Sequence, residues 1–253
     1  MTEIIFNGTG SSPGVPQLFC DCPVCKSSFP ENKRTRFSMT MIEKGTVLQI
    51  DAPFEVRLQL LNAGIKKIDG LWLTHAHSDH IAGIDDMRMA AFRNGAPLPL
   101  FAGQETIESV KTKFPYLFFE NEYTESPLIK PFTVDEDPFQ FKDMEFIPVR
   151  HFHGETKVHS FRMKDFGLLA DISSISESEL AKMKGVKVLA VCTTVNHPHR
   201  KHMDLGEIIE LIKIISPQKA YLTHMSHNFD YFEIKNHLPE NIFPAFDGLR
   251  VEV

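Results

Sequence analysis

No apolar stretch in this sequence approaches the about 20 residues that a membrane-spanning helix needs. The first ten residues also lack the basic-then-apolar order of a secretory leader, so a cytoplasmic protein that touches no membrane is expected. There is no basic excess. Lys and Arg number 27 against 33 Asp and Glu, a net charge of -6, which argues against broad electrostatic capture of long nucleic acid. Repeats, low-complexity tracts and Gly/Ser-rich linkers are missing as well, and the 253 residues read most simply as one domain spanning 1–253.

Cysteine is scarce, at four residues, yet three of the four lie in Cys20-Asp21-Cys22-Pro23-Val24-Cys25. Disulfide scaffolds spread their cysteines along a short secreted chain, whereas such a cluster reads as metal binding. Histidine, by contrast, is abundant, with 12 residues mostly in tight groups.

Strand-like apolar runs recur at residues 4–7, 47–50, 71–74, 146–149, 160–163, 166–170, 186–192 and 220–223. Ser176 and Glu179 predict a capping box opening a helix to about Lys184. Asp204 and Glu207 predict another, with Leu205, Ile208, Ile209, Ile212 and Ile215 on one face and Pro217 as its stop. Hairpin spacings mixed with helical crossovers imply a layered α/β fold. Residues 114–137, rich in aromatics, acids and prolines, read as a surface excursion. Within it, residues 114–119 have three possible fates: core, the wall of a pocket, or a self-association surface.

The chemistry concentrates in Thr74-His75-Ala76-His77-Ser78-Asp79-His80, directly after an apolar run. A strand ending near Thr74 would let the following turn project imidazoles and a carboxylate, the ligands that zinc and similar cations prefer. His75, His77, Asp79 and His80 are too many donors for one site that must also stay open. Two adjacent cations resolve the crowding.

This H-x-H-x-D-H pattern resembles that of the metallo-β-lactamase superfamily. The resemblance implies a four-layer αβ/βα sandwich carrying two catalytic divalent metals, for which zinc, manganese and iron are all suited. It implies that His153, Asp171 and His224, each at a later strand end, complete the ligands. His75, His77 and His153 would hold one metal, Asp79, His80 and His224 the second, and Asp171 would bridge them. His151 competes with His153, and the resemblance favours His153 because Gly154 follows it.

The glycine-rich segment 8–16, the cysteine run and Thr223-His224-Met225-Ser226-His227 are similar to the PhnP branch, a phosphodiesterase family of the carbon-phosphorus lyase pathway. That likeness implies one structural zinc on Cys20, Cys22, Cys25 and His227. Cys192 is left as a buried core thiol. Where many relatives read Asp-Ala-Gly, this chain has Asp51-Ala52-Pro53.

The resemblance further implies hydrolysis of a small or cyclic phosphodiester by a metal-bridging hydroxide, with Asp79 and Asp171 in the catalytic set. Arg200-Lys201-His202-Met203-Asp204-Leu205 resembles the segment that carries the branch's general acid, which maps to His202 at the start of a helix, with Asp204 as its cap. His197, His199, Arg200 and Lys201 make that loop locally basic. Segment 8–14 could approach a ligand by its backbone or serve as a tight turn. The family is also consistent with a homodimer. Two other readings compete: an RNA 3′-processing nuclease, which would need a basic surface or clamping arm, and a non-catalytic carrier like PqqB, which degenerate ligands would favour.

Overall fold

The structure is a computed structural model that describes residues 1–120 and 126–253. Strand β1 (Thr2–Gly8) buries Ile4, Ile5 and Phe6 completely, as a strand covered on both faces must. A loop with the single turn α1 (Pro23–Lys26) leads to β2 (Ser38–Glu43), which pairs antiparallel with β1 and with β3 (Thr46–Ile50). Lys44 (φ 48°) and Gly45 (φ 82°) close the β2–β3 hairpin. Two successive left-handed residues match the twist of paired strands, and glycine bears that conformation without strain.

Crossovers containing α2 (Val56–Asn62), α3 (Ser78–Ile81), α4 (Arg88–Asn94) and α5 (Gln104–Lys113) then link β3 to its parallel neighbours β4 (Gly70–Trp72), β5 (Leu98–Ala102) and β6 (Ile129–Thr133). The second sheet repeats this plan. Strands β7 (Phe139–Phe141), β8 (Met144–His153), β9 (Thr156–Met163) and β10 (Phe166–Leu169) are antiparallel. Three parallel pairings follow, to β11 (Val188–Cys192), β12 (Lys219–Thr223) and β13 (Ile242–Pro244), with α6 (Glu177–Ala181), α7 (Leu205–Ile215) and α8 (Tyr231–His237) between them. Strand β14 (Leu249–Glu252) returns to pair with β1.

The result is the four-layer α/β sandwich. Between the sheets Trp72 packs on Phe161, Phe146 and Phe139 at ring separations of 4.7, 5.3 and 6.0 Å, and its indole N–H donates to the His159 carbonyl. Outer-face residues of the first sheet, such as Leu71, Leu73 and Leu100, pack on Val56, Ile107 and Val110 of the helices. Leu189 and Val191 do the same beneath α7. That helix buries Ile208, Leu211, Ile212 and Ile215, each contributing roughly 1.5–3 kcal/mol. Leu205 and Ile209 pack half-buried against the same core, as expected, and Leu211 joins that face.

Two expectations are corrected. The segment 114–137 is more than a surface excursion: Leu117 and Phe118 are buried under the helices, and β6 forms an edge of the first sheet. An edge tolerates Pro131, whose missing N–H would break a central ladder. Residues 121–125 of that segment lie outside the described residues. At α6 only half of the capping box forms. Ser176 accepts the Glu179 amide, but the Glu179 carboxylate instead accepts from the Arg150 amide and Lys182, and the helix ends at Ala181. At α7 the box of Asp204 and Glu207 is complete.

The parallel strands matter most for the site. The C-terminal ends of β3, β4, β10, β11 and β12 open on one rim, where ligands of α/β sheets collect.

Candidate metal centre

Thr74 and the residues after β4 are anchored by Asp51, which follows β3 with left-handed backbone (φ 54°) and is fully buried. Asp51 accepts the Thr74 amide and hydroxyl, both at 2.8 Å. The chain then turns, His77 takes the N-cap position of α3 without a side-chain cap bond, and Asp79 and His80 follow in the first turn. One strand end and one helix start thus aim four donors at one space.

Each buried ring is fixed from behind. His80 donates from Nδ1 to Asp51 at 2.6 Å, His153 from Nδ1 to the Lys201 carbonyl at 2.6 Å, and His75 from Nδ1 to the Thr74 hydroxyl at 3.1 Å. His224, itself left-handed (φ 58°), meets Thr194 Oγ1 through Nδ1 at 2.8 Å. These outer bonds select the tautomer and leave Nε2 of each ring facing inward.

The inward atoms converge on Asp171. Its Oδ2 lies 3.6 Å from His80 Nε2, 3.9 Å from His153 Nε2 and 4.0 Å from His75 Nε2, while Oδ1 lies 3.4 Å from His224 Nε2. Asp79 Oδ2 is 3.5 Å from both His80 and His224. Within this cluster His75, His77 and His153 form one compact triad and Asp79, His80 and His224 another, each with donor atoms within 4.8 Å of one another. His80 Nε2, His224 Nε2 and Asp171 Oδ1 are buried without a hydrogen-bond partner. Such orphaned atoms are costly unless something else binds them. Imidazole and carboxylate donors left bare around a common space fit divalent cations.

The electrostatics agree with that fit. Burial pushes the His75 and His153 pKa values down, favouring the neutral rings that ligate. Burial opposes ionisation of Asp171 and Asp79, but His224 and His80 outweigh it and hold both carboxyls below their usual range. His80 moves upward: burial disfavours its charge, while Asp51 and Asp171 more than compensate. A proton and a cation there would compete for the same lone pair.

Other histidines fall differently. His151 lies two residues back along β8, opposite Val158, while His153 is opposite Thr156 at the strand's end. His151 binds Ser160 Oγ at 2.8 Å, and burial lowers its pKa to about 3. It belongs to none of the donor clusters. His202 stands two residues ahead of the Asp204 cap rather than in the helix, its ring 4.3 Å from that of His153. It is half-buried, and burial lowers its pKa to about 4. One nitrogen of His202 groups with His153 and Asp171. His197, His199, Arg200 and Lys201 are exposed on the same loop.

Sequence reasoning missed the outer partners Thr74, Thr194 and Lys201. A backbone carbonyl and common hydroxyls carry no sequence signal. It also missed the closeness of Cys192, whose thiol is buried beneath the centre and pushed up in pKa by burial and by Asp171.

A second cluster lies beside the rim. Cys20, Cys22 and Cys25 Sγ are 3.2, 3.6 and 3.7 Å from His227 Nδ1. Tetrahedral zinc, with bonds of about 2.3 Å to sulfur and about 2.0–2.1 Å to nitrogen, separates such ligands by about 3.5 Å. The Cys25 amide donates to Cys22 Sγ, which helps lower that thiol to about 6, and burial raises Cys25 to about 11. Arg34, fully buried and lowered to about 10 by burial, donates to the Ser226 and Phe229 carbonyls and so fixes the segment that carries His227.

The model of the Beta-lactamase superfamily domain matches residues 46–225, which contain the whole cluster around Asp171. The chain belongs to the metallo-β-lactamase superfamily. Within the superfamily, a crystal structure of a diphosphatase from the PhnP family aligns over 100% of this chain and 98% of that one. Its TM-score is 0.93 at 33% identity, which places the chain in the PhnP family. An octanoyltransferase from Porphyromonas gingivalis is 32% identical over 252 residues, covering 97% of this chain and 50% of that protein. The chain thus spans half the length of that curated relative. Zinc-bound PqqB from Methylobacterium extorquens shares the fold, with a TM-score of 0.80 at 16% identity over 99% of this chain and 100% of that one. Among the described residues no helix is long and apolar enough to cross a membrane.

Proposed function

We propose that this chain is a single-domain, binuclear phosphohydrolase that cleaves a small or cyclic phosphodiester. The observation that carries the reading is Asp171, one carboxylate in contact with rings from both triads. His75, His77 and His153 would hold one divalent cation and Asp79, His80 and His224 a second, with Asp171 shared. Cations bound there would lower the pKa of water and neutralise charge developing on a phosphoryl oxygen. Burial keeps His75 and His153 neutral against the pull of the ionised Asp171, and the outer bonds to Asp51, Lys201 and Thr194 hold the rings still.

Cleavage of a P–O bond to an alkoxide also needs a proton on the leaving oxygen. His202 borders the same cavity as Asp171 and His153, and it makes no hydrogen bond within the described protein. Neutral without substrate, because burial lowers its pKa to about 4, it would give that proton once an anionic phosphoryl group beside it raises that pKa, while the exposed Arg200 and Lys201 attract such a substrate. The PhnP-family relative is a diphosphatase, which likewise breaks a bond at phosphorus. The complete donor set speaks against a carrier role, and the net charge of -6 speaks against long nucleic acid.

The test is turnover of linear aryl phosphodiesters, 2′,3′-cyclic nucleotides and nucleoside diphosphates by zinc- or manganese-loaded protein. Asp171→Ala should abolish turnover. His202→Ala should retain its metal and lose most rate on esters with poor leaving groups. Equal losses for good and poor leaving groups would remove the general-acid role. Absence of turnover with both cations bound would reject the phosphohydrolase reading.

A further inference from the structure

The loop that follows β1 lines the same cavity as His202. The cavity holds about 480 Å3, and its lining includes Ser11, Ser12, Gln17 and Asn228. Ser11 is 1% exposed, and its hydroxyl has no hydrogen-bond partner. Its backbone is fully engaged: the amide donates to the Met225 carbonyl at 3.2 Å, and the carbonyl accepts from Gly14 at 2.7 Å. The neighbouring Ser12 carbonyl is taken by Arg36 Nε at 2.7 Å. The hydroxyl is therefore the one polar group of Ser11 left to bind something.

Its position is set by the metal centre. Met225 follows His224, and its amide donates to the Thr9 carbonyl at 2.8 Å, so residues 9–11 run beside the candidate ligand as a short parallel ladder. Gly10 makes that fit possible, because a Cβ there would stand 2.6 Å from the Arg34 carbonyl. Ser11, its hydroxyl buried and unpaired, is thus held by a well-tied backbone in the lining of a cavity that also includes Asp79, Asp171 and His202.

We propose that Ser11 is a substrate-binding residue whose hydroxyl donates to a non-bridging oxygen of the phosphoryl group. The assignment rests on the phosphohydrolase reading. Uncharged Gln17 and Asn228 share that lining, so phosphate would meet neutral donors there, with charge compensation left to the centre and the 197–201 loop. A neutral donor orients an anion without pairing with Asp79 or Asp171, as a lysine there would.

Ser11→Ala decides the matter, with inorganic phosphate as the probe. Calorimetric phosphate binding and KM and kcat on the ester panel are measured at matched metal content. Phosphate affinity should fall about tenfold, the scale of one hydrogen bond to a charged group. KM should rise by a similar factor, and the melting temperature should hold or increase because an unpaired buried hydroxyl has been removed. Phosphate affinity within twofold of wild type would overturn the assignment and leave the hydroxyl to water alone. Phosphate binding lost in Ser11→Ala, with no ester turned over by wild type, would uphold Ser11 and reject the hydrolase reading. Wild-type protein that binds no phosphate would overturn both.

Discussion

Asp51 holds His80 in a single tautomer, accepting its Nδ1 proton at 2.6 Å inside a fully buried pair. The same carboxylate accepts from Thr74, so one residue at the end of β3 sets both the start of the H-x-H-x-D-H turn and the ring at its end. Asp51 needs left-handed backbone, which Asn also adopts readily. Asp51→Asn should therefore fold, yet weaken the charge that orients His80. Loss of such an outer partner typically costs roughly 10- to 100-fold in metal affinity. Competition with a chromophoric chelator measures it, and unchanged affinity would show that His80 needs no help from Asp51.

His151 and His153 point to the same side of β8, because residues two apart on a strand share a face. What separates them is depth. Two residues along a strand is about 6.8 Å, enough to place His153 at the rim and leave His151 beneath it on Ser160. His153→Ala should lower catalytic metal content and abolish hydrolysis. His151→Ala should keep its metal and lose only stability, by about 1–3 kcal/mol for the hydrogen bond and the space vacated. Elemental analysis with thermal melts distinguishes the two, and metal loss in His151→Ala would reverse the assignment.

That pair also shows where sequence reasoning is strong and where it weakens. The turn from His75 to His80 is legible because its donors are neighbours in the chain. Asp171 and His224 each follow an apolar run that a parallel strand, buried on both faces, makes conspicuous. Depth along β8 is invisible, since period two treats His151 and His153 alike, and a family resemblance had to choose between them. Edge strands such as β6 and β14 were unread because their half-exposed residues lack an apolar run. The Glu179 carboxylate left its cap for the Arg150 amide, a tertiary partner that no local pattern announces.

The three cysteines and His227 stand about 200 positions apart in sequence, with |i−j| from 202 to 207. A cation joining them closes a very long loop, which restricts the unfolded chain far more than the folded one. Cys22→Ser should lower bound zinc by one equivalent and melt several degrees below wild type, while the centre around Asp171 still takes its metals. Zinc content and melting both unchanged would reject a structural zinc at that site.

Asp69 gives a pH-dependent tie between the sheets. Its carboxylate accepts from the Val47 amide at 2.8 Å and from Lys142 at 2.6 Å, with Lys67 at 3.0 Å, and Lys142 comes from the β7–β8 turn of the opposite sheet. Burial raises the Asp69 pKa, but these partners outweigh it and leave the carboxyl below its ordinary value. A folded pKa below the unfolded one means that folding favours the ionised form. The contribution is therefore complete above the unfolded value of about 3.9 and disappears as pH falls through the lower folded one. Lys142→Met should cost under about 1 kcal/mol at pH 7, because Lys142 is about half exposed and its charge is screened. Denaturant melts of both proteins should draw together as pH falls below about 3.9 and converge once it has passed the lower folded value, where the native carboxylate is protonated. A difference that persists into strong acid would assign the effect to packing of the lysine stem instead of to the ion pair.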